Sequence, residues 1–267
     1  IGNHCALKDI DVYCDRLNRT KLINNGFIFN NYCVGGNNTY HRQYFSDENG
    51  KYIDTYRTII QQWRNNNIIT DDMYYFLLCS LIESADKVAN IASTYGAYLK
   101  QLKKQANRRF TFIPSQFEIT QNSHQVFNED ANELINKIEG DILYLDPPYN
   151  HRQYSVNYYL LNTIAKYDTF IPRGKIGNRI NVTRSKWCSK KYAHNEFEQL
   201  IKNAQFKYIF LSYNNEGIMS FQDVKSIMSK YGRYDVVSCE YQRFKSDNNR
   251  INKARSTIEY LHILEKN

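Results

Sequence analysis

Asp146-Pro147-Pro148-Tyr149 follows directly on the apolar run Ile142-Leu143-Tyr144-Leu145. The chain has four prolines in 267 residues, and two of them stand here side by side. Proline lacks an amide donor and pushes the residue before it out of helical geometry. A short apolar run that meets Pro-Pro therefore reads as a strand that stops abruptly. The stop gathers a carboxylate (Asp146), a backbone carbonyl (Pro147) and an aromatic ring (Tyr149) at the carboxyl end of the strand, where open α/β sheets bind their ligands. These groups suit methylation of an exocyclic amine. The lone pair of an amine such as adenine N6 is delocalised into the ring. Two acceptors, one for each N6 hydrogen, favour a more tetrahedral nitrogen aimed at an electrophilic methyl. Pro147 and Pro148 fix the carbonyl direction, which is catalysis by positioning. A base inside a duplex must be flipped out to reach such a site, and stacking on Tyr149 helps hold it there. The bland reading of the same four residues is a surface turn with the aspartate as a cap.

The flanking residues carry a more specific signal. Ile142 to Tyr149 resembles the catalytic motif of class I adenine-N6 DNA methyltransferases. The run Asn150-His151-Arg152-Gln153-Tyr154-Ser155-Val156-Asn157-Tyr158-Tyr159-Leu160-Leu161-Asn162-Thr163-Ile164 is similar to the D12 class, the Dam-like family, and above all to adenine methylases of bacterial restriction–modification systems. Asn30-Asn31-Tyr32-Cys33, Tyr44-Phe45-Ser46-Asp47-Glu48-Asn49-Gly50, Ala85-Asp86-Lys87-Val88-Ala89-Asn90 and Leu211-Ser212-Tyr213-Asn214-Asn215-Glu216-Gly217 extend the likeness from about residue 25 to the end of the chain. The resemblance implies a Rossmann-like class I methyltransferase core (α/β) with a mostly helical insertion, S-adenosyl-L-methionine as donor and double-stranded DNA as substrate. It also implies a cognate restriction endonuclease as functional partner and a cytoplasmic, bacterial setting. The family opens with a glycine-rich F-x-G-x-G turn that cradles the methionine part of the donor. None of the eleven glycines here makes G-x-G, and the chain begins with Ile1. The resemblance therefore implies a fragment that lacks the first strand or two and most of the cofactor cradle.

Composition is compatible with this. The net charge is +8, from 35 basic and 27 acidic residues, with a pI near 9.0, which favours a polyanionic partner. Tyrosine is abundant at 23 residues, but an AT-rich coding sequence accounts for Tyr and Asn as well as stacking does. The six cysteines form no C-x-x-C pair, so neither a metal site nor a disulfide framework is expected, and reduced thiols fit the cytoplasm. No run of 18 apolar residues reads as a membrane span, and no signal peptide is visible.

The pattern along the chain assigns the elements. Residues 1–29 read as the remnant of a truncated core, residues 30–120 as the helical target-recognition insertion and residues 121–267 as the catalytic core. Within the insertion, residues 30–50 read as loop and Asp54–Asn65 as helix. Thr70 caps a helix from Asp71 to about Asn90, and a further helix starts near Ala97. That last helix would carry Lys100, Lys103, Lys104, Arg108 and Arg109 with no acid among them, which suits DNA phosphates; an ordinary solvated helix face is the alternative. In the core, His124–Phe127, Asp141–Leu145, Phe206–Tyr213, Tyr234–Tyr241 and Thr257–Leu264 read as strands. Glu129–Ile138, Val156–Tyr167, His194–Asn203 and Gly217–Lys230 read as helices. Alternation of this kind gives a mostly parallel sheet with a closing antiparallel pair.

Secondary candidates follow from these placements. Asn128, Glu129 and Asp130 start a helix one β/α unit before Asp146. By resemblance they and Asp146 contact the cofactor, with Asp130 the acceptor for its adenosine part, while plain helix capping is the competing role. Arg152 and Tyr154 sit just after the motif, within reach of a flipped nucleotide or its phosphate. His-Arg-Gln-Tyr occurs twice, at 41–44 and 151–154, with unmatched flanks, so no internal repeat is read. Arg243, Lys245, Arg250, Lys253 and Arg255 lie between the last two strands, in a loop that approaches DNA in Dam-like enzymes. Ser212-Tyr213-Asn214-Asn215 would wall the base pocket. Methylation of an RNA adenine or a protein glutamine, and a DNA-binding fragment without catalysis, are the competing functions.

Overall fold

The structure, a computed structural model, describes residues 9–118, 122–180, 182–242 and 256–267, with residue 242 by its backbone alone. Arg243, Lys245, Arg250, Lys253 and Arg255 lie outside the described residues. The chain forms, in order, α1 (Ile10–Asn18), α2 (Phe27–Tyr32), α3 (Asp47–Asn65), α4 (Asp71–Lys87), α5 (Ala131–Leu134), β1 (Glu139–Leu145), α6 (Tyr154–Asn157), α7 (Tyr159–Lys166), α8 (Ala193–Asn203), β2 (Gln205–Asn214), α9 (Phe221–Met228), β3 (Gly232–Gln242) and β4 (Ser256–Lys266). These elements divide into two compact units. One holds residues 1–125 and 154–182, and the other holds residues 126–153 and 183–267. Residues 154–182, which the sequence reading put in the catalytic core, thus pack with the helical unit.

The helical unit is organised by α3. Ser46 caps it by accepting from the Asn49 amide at 3.3 Å, and Thr70 caps α4 through Met73 at 3.3 Å. Two buried polar residues one turn apart on α3 reach to other helices. The Asp54 carboxylate accepts from the amides of Ile28 and Phe29 at 2.8 Å each, at the start of α2, and from the Tyr167 hydroxyl at 2.6 Å. The Arg57 guanidinium donates to the Ile164 and Ala165 carbonyls at 3.0 Å each, satisfying the open end of α7. Around them packs an aromatic core in which Tyr32, Tyr44, Tyr56, Tyr95 and Tyr159 are fully buried. Their hydroxyls find partners, as buried phenols must: Tyr44 donates to the Tyr95 carbonyl at 3.0 Å and Tyr95 to Asp86 at 2.7 Å. Many of the tyrosines are therefore structural.

The sequence reading of this unit needs three corrections. Residues 10–18 form a regular helix, and the stretch 30–50 contains the end of α2 and the start of α3. The segment from Ala97 to Arg109 is no helix but irregular chain with one turn. Its backbone groups are taken by two side chains from elsewhere. Asn90 accepts from the Lys103 amide at 3.0 Å and donates to the Leu99 carbonyl at 2.9 Å. Asn49 donates to the carbonyls of Ala106 (3.1 Å) and Arg108 (2.9 Å) and accepts from the Phe110 amide at 2.9 Å. Groups held this way cannot close a helical ladder.

The second unit is a four-stranded sheet in the order β1-β2-β4-β3. β1 pairs parallel with β2, β2 antiparallel with β4, and β4 antiparallel with β3. The α/β class is as read, but the described sheet is mixed rather than mostly parallel. Residues 122–127 form no strand, and Val126 is 92% exposed, because no described strand pairs with them. Helices α8 and α9 bury Phe197, Leu200, Ile201, Val224, Ile227 and Met228 in a core shared with Ile209 and Leu211 of β2. A capping box between Ser220 and Asp223 starts α9 at Phe221, four residues later than the apolar pattern suggests. α5 is a single turn, and the expected 156–167 helix is broken into α6 and α7.

Candidate active site at the end of the first strand

β1 places one face on the core through Leu143 and Leu145 and leaves the other open, with Ile142 62% and Tyr144 61% exposed. Leu145 pairs with Leu211 of the parallel β2, so both strands deliver their carboxyl ends to the same edge. Asp146 follows at once. It is exposed, and among the described residues no donor engages its carboxylate. Pro147 and Pro148 are half-buried, and the Tyr149 ring is 41% exposed.

The loop after β1 is fastened on two sides. The Tyr149 carbonyl accepts from the Ile218 amide at 2.9 Å, which ties it to the turn after β2. In that turn Gly217 is required, because a Cβ there would stand 2.1 Å from the Tyr213 ring. On the other side, Gln153 makes two hydrogen bonds with one residue: Nε2 donates to the Ser185 carbonyl at 3.2 Å, and Oε1 accepts from the Ser185 amide at 2.8 Å. His151 Nδ1 lies 3.2 Å from the Cys188 carbonyl, and Cys188 Sγ donates to the Arg152 carbonyl at 3.5 Å. The Asn150 side chain accepts from the Arg152 amide at 2.9 Å. These bonds consume His151 and Gln153 and leave Arg152 exposed. Clamping by Gln153 and by the Ile218 amide was not visible in the sequence; the nearest signal was the concentration of polar residues after the motif.

The other candidates are distributed as follows. Asn128, Glu129 and Asp130 are exposed and precede α5 without a strand before them. Asp130 caps α5 through the Asn132 amide at 2.9 Å, and Glu129 pairs with Lys137. Of the Ser212–Asn215 group, Tyr213 and Asn214 are buried. The Asn214 side chain accepts from the Glu216 amide at 3.1 Å, and the Asn215 side chain accepts from Thr257 Oγ1 at 2.8 Å. These bonds help build the turn after β2. Tyr154 belongs to the helical unit, 52% exposed and edge-on to Tyr158 with ring centroids 5.7 Å apart. In the basic segment, Lys103 donates to the Ile91 carbonyl at 3.0 Å and Arg109 to the Tyr52 hydroxyl at 2.8 Å. Lys100, Lys104, Arg108 and Arg109 stay exposed, and Lys103 is half-buried. Four of the five cations of the segment are thus open, and none of the five forms an ion pair among the described residues. Among the described residues no cluster of His, Cys, Asp or Glu has metal-binding geometry, and no helix is long and apolar enough to cross a membrane.

For a nucleoside-containing donor, the described residues supply acceptors at Asn128, Glu129 and Asp130. They supply no glycine turn between a strand and a helix: the glycines with positive φ are Gly174, Gly177 and Gly232.

Residues 4–227 match the family described as D12 class N6 adenine-specific DNA methyltransferase. The chain is 57% identical over 243 residues to the type II methyltransferase M.NlaIII of Neisseria lactamica, spanning 90% of this chain and 72% of that protein. It is 36% identical over 244 residues to the type II methyltransferase M.CviAII of Paramecium bursaria Chlorella virus 1, spanning 90% of this chain and 71% of the relative. Against the type II methyltransferase M.FokI of Planomicrobium okeanokoites it is 38% identical over 229 residues, 84% of this chain and 35% of that longer protein. No solved structure matches the chain.

Proposed function

The chain belongs to the D12 class of N6 adenine-specific DNA methyltransferases, and from that premise we propose that Asp146 and the Pro147 carbonyl hold adenine N6 while Tyr149 stacks on the flipped base. The protein is a site-specific DNA methyltransferase of the restriction–modification kind. The observation that carries the residue assignment is the Asp146–Tyr149 loop. It leaves the carboxyl end of β1 with an unengaged carboxylate, while its backbone is pinned at Tyr149 and its continuation at Gln153. A fixed carbonyl and a free carboxylate are what localising the N6 lone pair requires. An exposed ring adjoining them accepts the face of an extruded base.

S-adenosyl-L-methionine supplies the methyl when bound. Asn128, Glu129 and Asp130, with Asp146, are the groups offered to its adenosine side. Arg152 faces outward on the motif loop and is assigned to a phosphate beside the flipped nucleotide. Tyr154, Lys100, Lys103, Lys104, Arg108 and Arg109 are assigned to further DNA contacts. Double-stranded DNA as substrate, a cognate endonuclease as functional partner and a cytoplasmic setting belong to the same reading.

Asp146→Ala tests it. The substitution should abolish transfer, a loss on the order of 3 kcal/mol or more in the transition state, with duplex binding kept. Sequencing for N6-methyladenine in DNA from cells expressing each form reads the outcome. Near wild-type modification by the variant would remove Asp146 from the chemistry.

A further inference from the structure

Between Lys166 and Lys191 the only acid in the sequence is Asp168, and Arg179 Nη1 is bound to it at 2.7 Å. Within this stretch, residues 173–178 form a tight hairpin closed by an Arg173–Asn178 bridge, with Gly174 and Gly177 at φ of +65° and +83°. Its carbonyls are all engaged. Arg173 accepts from Asn178 and Asn178 from Arg173, at 3.1 and 2.9 Å. Gly174 and Lys175 accept from the Arg42 guanidinium at 2.9 and 3.1 Å. Ile176 accepts from the Tyr159 hydroxyl, and Gly177 from the Tyr32 hydroxyl at 2.8 Å. Arg42, Tyr32 and Tyr159 are buried, so the hairpin rests on a fixed platform, and Arg42 brings a positive charge with no carboxylate partner among the described residues.

What remains on the outside is the opposite of what was consumed. The amides of Gly174, Lys175 and Ile176 have no acceptor among the described residues. The side chains of Arg173 and Lys175 are exposed and form no ion pair there. A surface whose carbonyl oxygens are spent, with three consecutive N–H donors and the two cations Arg173 and Lys175 in the same turn, is complementary to an oxyanion. Diester phosphates occur at regular spacing along the substrate this protein modifies.

We propose that the Arg173–Asn178 hairpin is a DNA-backbone contact that binds phosphate without reading sequence. The inference deepens the DNA methyltransferase reading and rests on it. Its residues are other than those of the Asp146 loop and of the basic segment at residues 100–109.

The test uses the chain as it stands, a ~30-bp duplex of mixed sequence and a second duplex of unrelated sequence. Binding is followed by fluorescence anisotropy across a salt series. The double variant Arg173→Gln with Lys175→Gln should flatten the log–log salt slope by about two units and weaken binding on the order of tenfold at ~0.1 M salt, equally on both duplexes. Lys230→Gln removes a surface cation whose partner is Glu198 and should leave the slope unchanged. Both sets of residues are exposed, so folding survives and circular dichroism will report it. A wild-type slope in the double variant overturns the hairpin contact while leaving the DNA reading intact. A loss confined to one duplex also overturns it, since that is base readout. If the wild-type chain binds neither duplex at any salt concentration, this chain's contact with DNA falls, and the hairpin contact falls with it.

Discussion

Replacing Gln153 by alanine removes both hydrogen bonds that tie the motif loop to Ser185. The bonds measure 3.2 and 2.8 Å and have good donor and acceptor roles. Each is worth about 0.5–1.5 kcal/mol net, and the half-buried Ser185 backbone groups lose a partner at the same time. The loss should total about 2 kcal/mol. If the loop must be ordered only when the base is in place, that energy appears in the transition state and not in DNA affinity, so kcat falls by about 30-fold at 1.36 kcal/mol per decade. The bonds at His151 and Cys188, and the one from Ile218 to Tyr149, remain, which is why the loss is partial. Single-turnover methyl transfer to a duplex substrate gives the rate, and anisotropy gives the affinity. Gln153→Glu keeps the acceptor for the Ser185 amide and loses the donor, so it should fall between the two. A variant that unfolds about 2 kcal/mol more easily yet transfers methyl within twofold of the wild-type rate would show that the clamp holds the fold and not the reacting geometry.

Two further outcomes concern the helical unit. Burial pushes the Asp54 carboxyl up from 3.8 to about 6 against the stabilising Tyr167, Phe29 and Ile28 bonds. A folded-state value above the unfolded one means that this group's contribution is full below pH 4 and is lost as pH rises through about 6. Relative to Asp54→Asn, the wild-type chain should lose on the order of 3 kcal/mol across that window; a difference independent of pH in urea melts would refute the assignment. Gly177→Ala should destabilise more than Gly174→Ala. Both positions carry the left-handed penalty of about 1–2 kcal/mol, but a Cβ at 177 would stand 2.8 Å from Arg42 Nε and 2.9 Å from Tyr32, whereas at 174 nothing lies within 4 Å. Equal melting temperatures for the two variants would show that Arg42 and Tyr32 yield freely.

The sequence alone determined what local chemistry decides. Proline's missing donor ends β1 just before Asp146, and this holds whatever surrounds it. The cap at Thr70, the apolar spacing of α4 and α8 and the alternation along β2, β3 and β4 are likewise short-range, and they appear in the structure within a few residues of their expected limits. The family was also legible, because it rests on residue identities in a row. What only the tertiary structure decided is where backbone polar groups find partners far along the chain. The segment 97–109 has helical composition, but Asn49 and Asn90 claim its amides and carbonyls first. Residues 124–127 have strand composition, but a strand exists only when a neighbour completes its hydrogen bonds. The first His-Arg-Gln-Tyr became a buried anchor, with Arg42 reaching Gly174 across 132 residues, while the second left Arg152 in solvent and Gln153 clamped to Ser185. Identical residues took opposite roles because burial and partner, not residue type, set what a side chain does.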